Sequence, residues 1–528
     1  MVTHRRVQRP QRVRYDRDVP GYYVENFGCR ATQADGAALE RQFEERGMSR
    51  ASTPAQAAVV VLNTCTVTAA ADQDARSAIR RVRRRNPEAQ IVVTGCYAQR
   101  APEEIAALPG VSFVIGNSHK HQLVDLMLEK TPVAETTFIP LASLTENRER
   151  RTENSIFVSD IFAHTELLAA PVFDAANERT RPNLKVQDGC DNRCSFCVIP
   201  YVRGQSRSLA LDRIIREVNG LLESGYRELV VSGINLGRWG RDRDLRAQPS
   251  APSQNLTSDV RSPRSDTQRL TPEAAFPNPR VGSRKAGFED LIRAILSETA
   301  LEKLRISSVE PMDWTDELIF LVASSPRIAK HAHVPMQSGS DAVLRRMHRK
   351  YRPWHYRAKI EKIRAAMPTA AIGADVMVGF PGETDSEFEA TRRMIEDLPF
   401  TYLHVFTYSA RPGTPAAEMA NQVPVHIARQ RNRILRELAA EKKLSFMRGF
   451  IGKEIEAITL RSCDVGAPAR DVVDTNSAEV ETLTSGFTEA LTDNYLKLRL
   501  RGHHEPNRWL QARIEDVVDG ALTGVRPL

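Results

Sequence analysis

The chain reads as an α/β protein with a small all-β unit at its C-terminal end. Two stretches of alternation support the first part. Strand-like apolar runs and helical periods alternate over residues 20–135 and again over 176–448, the pattern of parallel sheets. Past residue 449 the helical periods give way to short strand-like runs, which indicate a small antiparallel barrel. The length of 528 residues fits roughly three or four domains at about 150 residues each.

The elements follow in order. Residues 22–27, 57–62 and 90–94 read as strands, and helical patterns follow each at 33–46, 70–85 and 101–108. A polar connector with a charged run at 146–153 leads to the second stretch. Six candidate strands lie there, at 184–187, 228–232, 303–307, 331–334, 372–378 and 402–407. Helical patterns such as 211–223, 288–297, 341–347, 354–366 and 385–398 separate them. Residues 241–285 break the pattern: they are rich in Ser, Pro, Arg, Asp and Gln and have no apolar period. They are expected to be a disordered insertion without a catalytic role, the alternative being an RNA-touching or regulatory loop. A long helix is expected at 425–447. The runs 454–460, 479–483, 495–500 and 511–517 read as the short strands of the last unit.

Composition sets the context. Hydrophobic residues make up 41% and charged residues 27%, as in an ordinary globular protein. No apolar run approaches the about 18 residues of a membrane span, so no membrane partner is expected. The first 17 residues carry Arg5, Arg6, Arg9, Arg12, Arg14 and Arg17 and no apolar core, which reads as a disordered basic tail rather than a signal peptide. A net charge of +8 suits a nucleic-acid partner. Residues 76–85 add six arginines, read first as a solvated helix face. Seven cysteines are too few for a secreted disulfide scaffold, and a reducing, cytoplasmic location is expected.

Most of those cysteines call for a metal or catalytic explanation. Cys190, Cys194 and Cys197 form a Cys-x3-Cys-x2-Cys run immediately after the strand at 184–187. Three thiolates so spaced can hold an iron–sulfur cube with one iron left open for a chelating molecule, the radical S-adenosylmethionine (SAM) signature. A zinc site or three unrelated thiols is the plainer alternative. Cys29, Cys65 and Cys96 each follow the carboxyl end of one N-terminal strand. In a parallel sheet those ends face one crevice, so the three thiols are expected to converge on a second open-iron site. Three small buried hydrophobes is the alternative there. Cys463 has no partner and is read as non-functional.

These motifs resemble the radical SAM methylthiotransferases. The resemblance runs from about Tyr22 to the end and rests on Phe27-Gly-Cys29, Asn63-Thr-Cys-Thr-Val-Thr68, Thr94-Gly-Cys-Tyr-Ala-Gln99 and the Cys190 to Cys197 loop. It rests also on Arg305-Ile-Ser-Ser-Val-Glu310, Val334-Pro-Met-Gln-Ser-Gly-Ser340, Met347-His-Arg-Lys-Tyr351, Gly379-Phe-Pro-Gly-Glu383 and Thr407-Tyr-Ser-Ala-Arg-Pro-Gly-Thr-Pro415. The Asn63, Arg305 and Tyr351 motifs look most like the branch acting on N6-threonylcarbamoyladenosine in tRNA. The spacing of Gly486-Phe-Thr488 and Asn494-Tyr495 departs from the family's pattern.

The resemblance implies three domains: an N-terminal cluster domain (20–135), an open six-unit β/α radical SAM barrel (176–448) and a TRAM-like RNA-binding barrel (449–528). It implies two [4Fe-4S] clusters, SAM, and methylthio insertion at C2 of the adenine next to the anticodon (position 37). Cys190, Cys194 and Cys197 would hold the SAM-cleaving cluster, and Cys29, Cys65 and Cys96 the auxiliary cluster that presents sulfur. Ser232, Gly233, Gly379, Pro381, Gly382 and Glu383 are candidate SAM contacts, since glycine permits close backbone approach. Gln337 and Ser338 are candidate substrate contacts. The expected partners are a tRNA anticodon stem-loop, an electron donor and a sulfur source. The competing readings are methylthiolation of isopentenyladenosine in tRNA or of a ribosomal-protein aspartate. A non-catalytic RNA-binding iron–sulfur protein is the remaining one.

Overall fold

The computed structural model describes residues 21–130, 155–164, 167, 181–242, 286–460 and 486–527. The arginine-rich N-terminal stretch, the charged run at 146–153, residues 243–285 of the expected insertion, the expected strand at 479–483 and Cys463 lie outside them.

The N-terminal unit is a parallel sheet. Its strands are β1 (Gly21–Asn26), β2 (Ser49–Arg50), β3 (Val59–Thr64), β4 (Gln90–Gly95), β5 (Val111–Gly116) and β6 (Ser155–Phe157), in the order β2-β1-β3-β4-β5-β6. β3 and β4 are nearly continuous runs of Val, Leu and Ile because both of their faces are covered. One face packs on the helix Ala69–Arg85 through Ala75, Ile79 and Val82, and the other on Arg30–Glu45 through Leu39 and Phe43. Thr68 caps the helix Ala69–Arg85, its side chain accepting from the Ala71 N–H at 3.2 Å. The expected helix at 101–108 is two shorter pieces, Cys96–Arg100 and Pro102–Ala106.

The middle unit carries the six expected strands. They are β7 (Asn183–Asp188), β9 (Glu228–Gly233), β10 (Lys303–Ile306), β11 (His331–His333), β12 (Ala371–Val378) and β13 (Tyr402–Thr407), with β8 (Arg207–Ser208) as an antiparallel edge on β7. They form two sheets, β10-β9-β7-β8 and β11-β12-β13, which meet where the Val309 N–H donates to the His333 carbonyl at 3.1 Å. One apolar core spans both sheets and their helices, from Leu184 to Leu435. The helix Val425–Arg448 covers β13 and leads into the last unit.

That unit is a closed barrel of β14 (Glu454–Thr459), β15 (Phe487–Thr492), β16 (Lys497–Arg501), β17 (Trp509–Val518) and β18 (Ala521–Val525). Its pairing is antiparallel except between β16 and β18, which run parallel. The unit is therefore not wholly antiparallel. Closure removes the exposed edge that so short a sheet would otherwise present.

Buried ionic contacts tie the first two units together. Asp35 on the helix Arg30–Glu45 accepts from Lys120 of its own unit at 3.0 Å, and from Lys185 and Arg203 of the barrel, the latter at 3.0 Å. Asp188 completes the network, accepting from Lys185 at 2.8 Å and from Arg203 at 2.9 and 3.0 Å. On the other side, Arg411 pairs with Asp72. All these side chains are buried, so each charge depends on its partners. The first two residues of the expected insertion belong to this framework. Arg241 pairs with Asp313 at 3.0 Å, and Asp242 accepts from the Ser208 N–H at 2.8 Å.

Candidate functional site

The N-terminal cysteines meet because their strands are in register. Asn26 lies beside Asn63 and Thr64 beside Gly95, so Cys29, Cys65 and Cys96 leave the same edge of the sheet. Cys65 is in electrostatic contact with both Cys96 and Cys29. The approach is close enough to require glycine. Gly28 has φ +104°, and a Cβ there would stand 2.6 Å from the Cys65 Cβ and 2.9 Å from its Sγ. Gly95 has φ +100°, and a Cβ on it would fall 2.3 Å from the Thr64 carbonyl oxygen. The two Gly-Cys pairs are thus geometric requirements of the site.

Donors and cations surround these thiols. The Asn117 Nδ2 donates to Cys96 Sγ at 3.6 Å, and Cys29 Sγ lies 3.6 Å from the Thr32 hydroxyl. Arg203 is fully buried. Burial opposes its charge, while Asp188, Cys96, Asp35 and Cys29 hold the guanidinium protonated. Burial, then the neighbouring Cys96, pushes the Cys65 thiol up to about 12.

The barrel cysteines follow β7. Cys190 accepts from the Asn192 N–H at 3.4 Å and from Asn235 Nδ2 at 3.5 Å, and Cys194 from Arg349 Nη1 at 3.3 Å. Burial pushes the Cys190 thiol up and carries Cys197 to about 12. Each set supplies three thiols with hydrogen-bond donors aimed at sulfur. This is the donor chemistry of an iron–sulfur cluster, whose bound iron favours the deprotonated thiol.

A cavity of about 1010 Å³ joins the two sets, with Cys29, Cys190, Cys194 and Cys197 in its wall. Ser232 and Gly233, at the carboxyl end of β9, line it too, as does Gln337. Gln337 sits in the left-handed region (φ +63°) and bridges to Val376 of β12. Ser338 stays outside the wall, with its hydroxyl 3.1 Å from that of Thr391. Gly379, Pro381, Gly382 and Glu383 are not brought to the wall either. Gly379 is needed for helix packing, because a Cβ there would stand 2.5 Å from the Ala428 Cβ. Glu383 is buried on the Gly379 N–H and on Arg431, both at 2.7 Å.

The remaining wall residues were not candidates from the sequence. His333, Asp375 and His404, on three adjacent strands, form a polar group in the wall. Asp375 lies 3.4 Å from His333 and 3.3 Å from His404. Burial would raise the Asp375 carboxyl, but the two adjacent imidazoles hold it well below the usual carboxylate range. Burial keeps His331 neutral. Glu310 pairs with Arg349, which also reaches Cys194. Asn494 and Tyr495 enter from the turn between β15 and β16, so the C-terminal barrel closes one side of the cavity. Asn494 and Tyr495 were legible as a motif, but their place in this wall depends on the docking of two units.

Comparison with known proteins agrees with this architecture. Residues 21–116 match the model described as uncharacterized protein family UPF0004, and residues 184–395 match the radical SAM superfamily. The chain is 32% identical to the threonylcarbamoyladenosine tRNA methylthiotransferase MtaB of Aquifex aeolicus, over 93% of this chain and 99% of the relative. The chain belongs to the MtaB-type radical SAM methylthiotransferases. The MtaB of Bacillus subtilis shows the same 32% identity over 90% of this chain and 89% of its own. The tRNA-2-methylthio-N(6)-dimethylallyladenosine synthase of Novosphingobium aromaticivorans is also 32% identical, over 83% and 86%. As a radical SAM methylthiotransferase the protein uses SAM and [4Fe-4S] clusters. No helix among the described residues is long and apolar enough to cross a membrane.

Proposed function

We propose that this methylthiotransferase inserts a methylthio group at C2 of N6-threonylcarbamoyladenosine next to the anticodon of tRNA. The observation that carries the reading is one cavity lined by the three barrel thiols and by Cys29 of the N-terminal set. A reaction that both activates carbon and delivers sulfur needs the two sites to share one space. The relatives similar over nearly the whole chain and named for threonylcarbamoyladenosine support the choice of base. The dimethylallyl reading keeps its place because a relative so named is equally identical.

In this account Cys190, Cys194 and Cys197 hold the cluster at the barrel mouth, and Cys29, Cys65 and Cys96 hold the auxiliary cluster. Bound there, the clusters supply the electron that cleaves SAM and an iron on which sulfur is presented. Ser232 and Gly233 form the wall for SAM, and Gln337, His333 and His404 offer hydrogen bonds to the base. The three units keep the roles expected at 20–135, 176–448 and 449–528, with the last contacting the anticodon stem-loop. An electron donor and a sulfur source are required partners.

The test is nucleoside mass spectrometry of tRNA from strains with and without the gene. The expected result is loss of the methylthio form of N6-threonylcarbamoyladenosine alone. Loss of the methylthio isopentenyl nucleoside instead would overturn the choice of substrate.

A further inference from the structure

We propose that Arg30 and Tyr495 form the binding point for the carboxylate that a threonylcarbamoyl group places on N6 of the substrate adenosine. The inference rests on the substrate reading above and names the residues that would enforce it.

Two carboxylates line the cavity, and each is already satisfied. Asp375 is held between His333 and His404, and Glu310 is paired with Arg349. Arg30 follows Cys29 directly, lines the cavity and has no carboxylate partner among the described residues. Tyr495 lines the same wall, close enough for the Arg30 charge to act on its phenol. Lys443 stands in the same wall.

Tyr495 is held firmly. It occupies the left-handed region (φ +70°), a conformation that costs free energy and persists where surroundings enforce it. Arg305 stacks on its ring at 4.2 Å and His331 at 4.4 Å, and Arg181 lies 5.6 Å from it. Arg305 is committed: it pairs with Glu228 and donates to the carbonyls of Asp493 at 2.8 Å and Thr492 at 3.0 Å. Arg30 and the phenol are therefore the donors that a ligand can recruit. A guanidinium and a fixed O–H together suit a carboxylate, and such charge-assisted bonds are about twice as strong as neutral ones. A neutral isopentenyl chain gains nothing from either group.

The experiment uses the reconstituted full-length enzyme and two anticodon stem-loop RNAs. One carries N6-threonylcarbamoyladenosine and the other its methyl ester, which removes the charge and keeps the shape. Anaerobic fluorescence anisotropy gives Kd, and methylthio product gives kcat/KM. The wild-type enzyme is expected to favour the acid by about 10- to 100-fold in Kd, the range for a hydrogen bond to a charged group. Arg30→Gln should bring that ratio close to one, and Tyr495→Phe should lower it several-fold. Tyr495→Phe leaves the Cys29 loop untouched, so an undiminished preference for the acid in that variant overturns the proposal. Equal binding of acid and ester by the wild-type enzyme does so as well. Failure of the substrate reading looks different: wild-type enzyme would then modify an isopentenyladenosine stem-loop and leave the threonylcarbamoyl one unmodified.

Discussion

The Arg305 guanidinium lies 4.2 Å from the centre of the Tyr495 ring, which joins the second parallel sheet to the turn between β15 and β16. Arg305 also binds that turn's backbone, and Lys303 two residues earlier reaches Glu456 at 2.6 Å and Asp493 at 3.3 Å. The C-terminal barrel is thus part of the cavity wall as well as an RNA-binding candidate. Removing it should cost product formation beyond any loss of RNA affinity, checked by turnover at saturating RNA.

Gly28→Ala is expected to damage the N-terminal site selectively. The added methyl would collide with Cys65, and the φ of +104° disfavours any side chain. Iron should fall from about eight per chain, the content of two cubes, toward about four. Release of 5′-deoxyadenosine should persist because the barrel cysteines are unaffected. Iron analysis and chromatography of the same sample check both.

Cys194→Ala is expected to do the reverse. It removes one of the three barrel thiols and leaves Arg349 without its sulfur acceptor. About half the iron should remain, and 5′-deoxyadenosine release should stop. Release at the wild-type rate would show that SAM is cleaved elsewhere.

Asp35→Asn should loosen the junction between the first two units. Burial raises the Asp35 carboxyl, but Lys120, Lys185 and Arg203 outweigh it and hold it at about 2. This is below the about 3.9 of an unfolded aspartate. The stabilisation is therefore complete above that unfolded value and is lost as pH falls through about 2. Breaking one partner of a buried network typically costs about 3–5 kcal/mol. Denaturant midpoints measured at neutral pH and down to pH 2 should show a lower stability and a flatter acid limb in the variant.

A linker replacing residues 243–285 should leave turnover largely intact, whereas one that also removes Arg241 and Asp242 should not. Those two residues bind Asp313 and Ser208 of the barrel. Equal losses from both deletions would give the segment a role beyond connection.

Much of this molecule was legible because its signals are local. Gly28-Cys29 and Gly95-Cys96 mark strand ends, and the runs of Val and Ile that became β3 and β4 mark buried parallel strands. The Cys-x3-Cys-x2-Cys loop is legible for the same reason. The glycines at 379 and 382 signal close approach without naming what approaches. At Gly379 the neighbour is Ala428 of a helix. β15, β18 and the parallel pairing of β16 with β18 were missed, since strand partners in a small barrel are set by closure rather than by period. The cavity roles of His333, Asp375, His404 and Tyr495 were hidden for a related reason. Each is one polar residue in a strand or turn: strand pairing brings the first three together, and docking of the C-terminal barrel adds Tyr495.

The most direct test of the central claim is the Cys65→Ala enzyme in one anaerobic reaction with SAM, reductant, a sulfide source and tRNA bearing N6-threonylcarbamoyladenosine. The account expects 5′-deoxyadenosine to be released while no methylthio nucleoside forms, because the barrel thiols remain and the N-terminal set is broken. Normal methylthio product from an enzyme shown to lack the second cluster would contradict it.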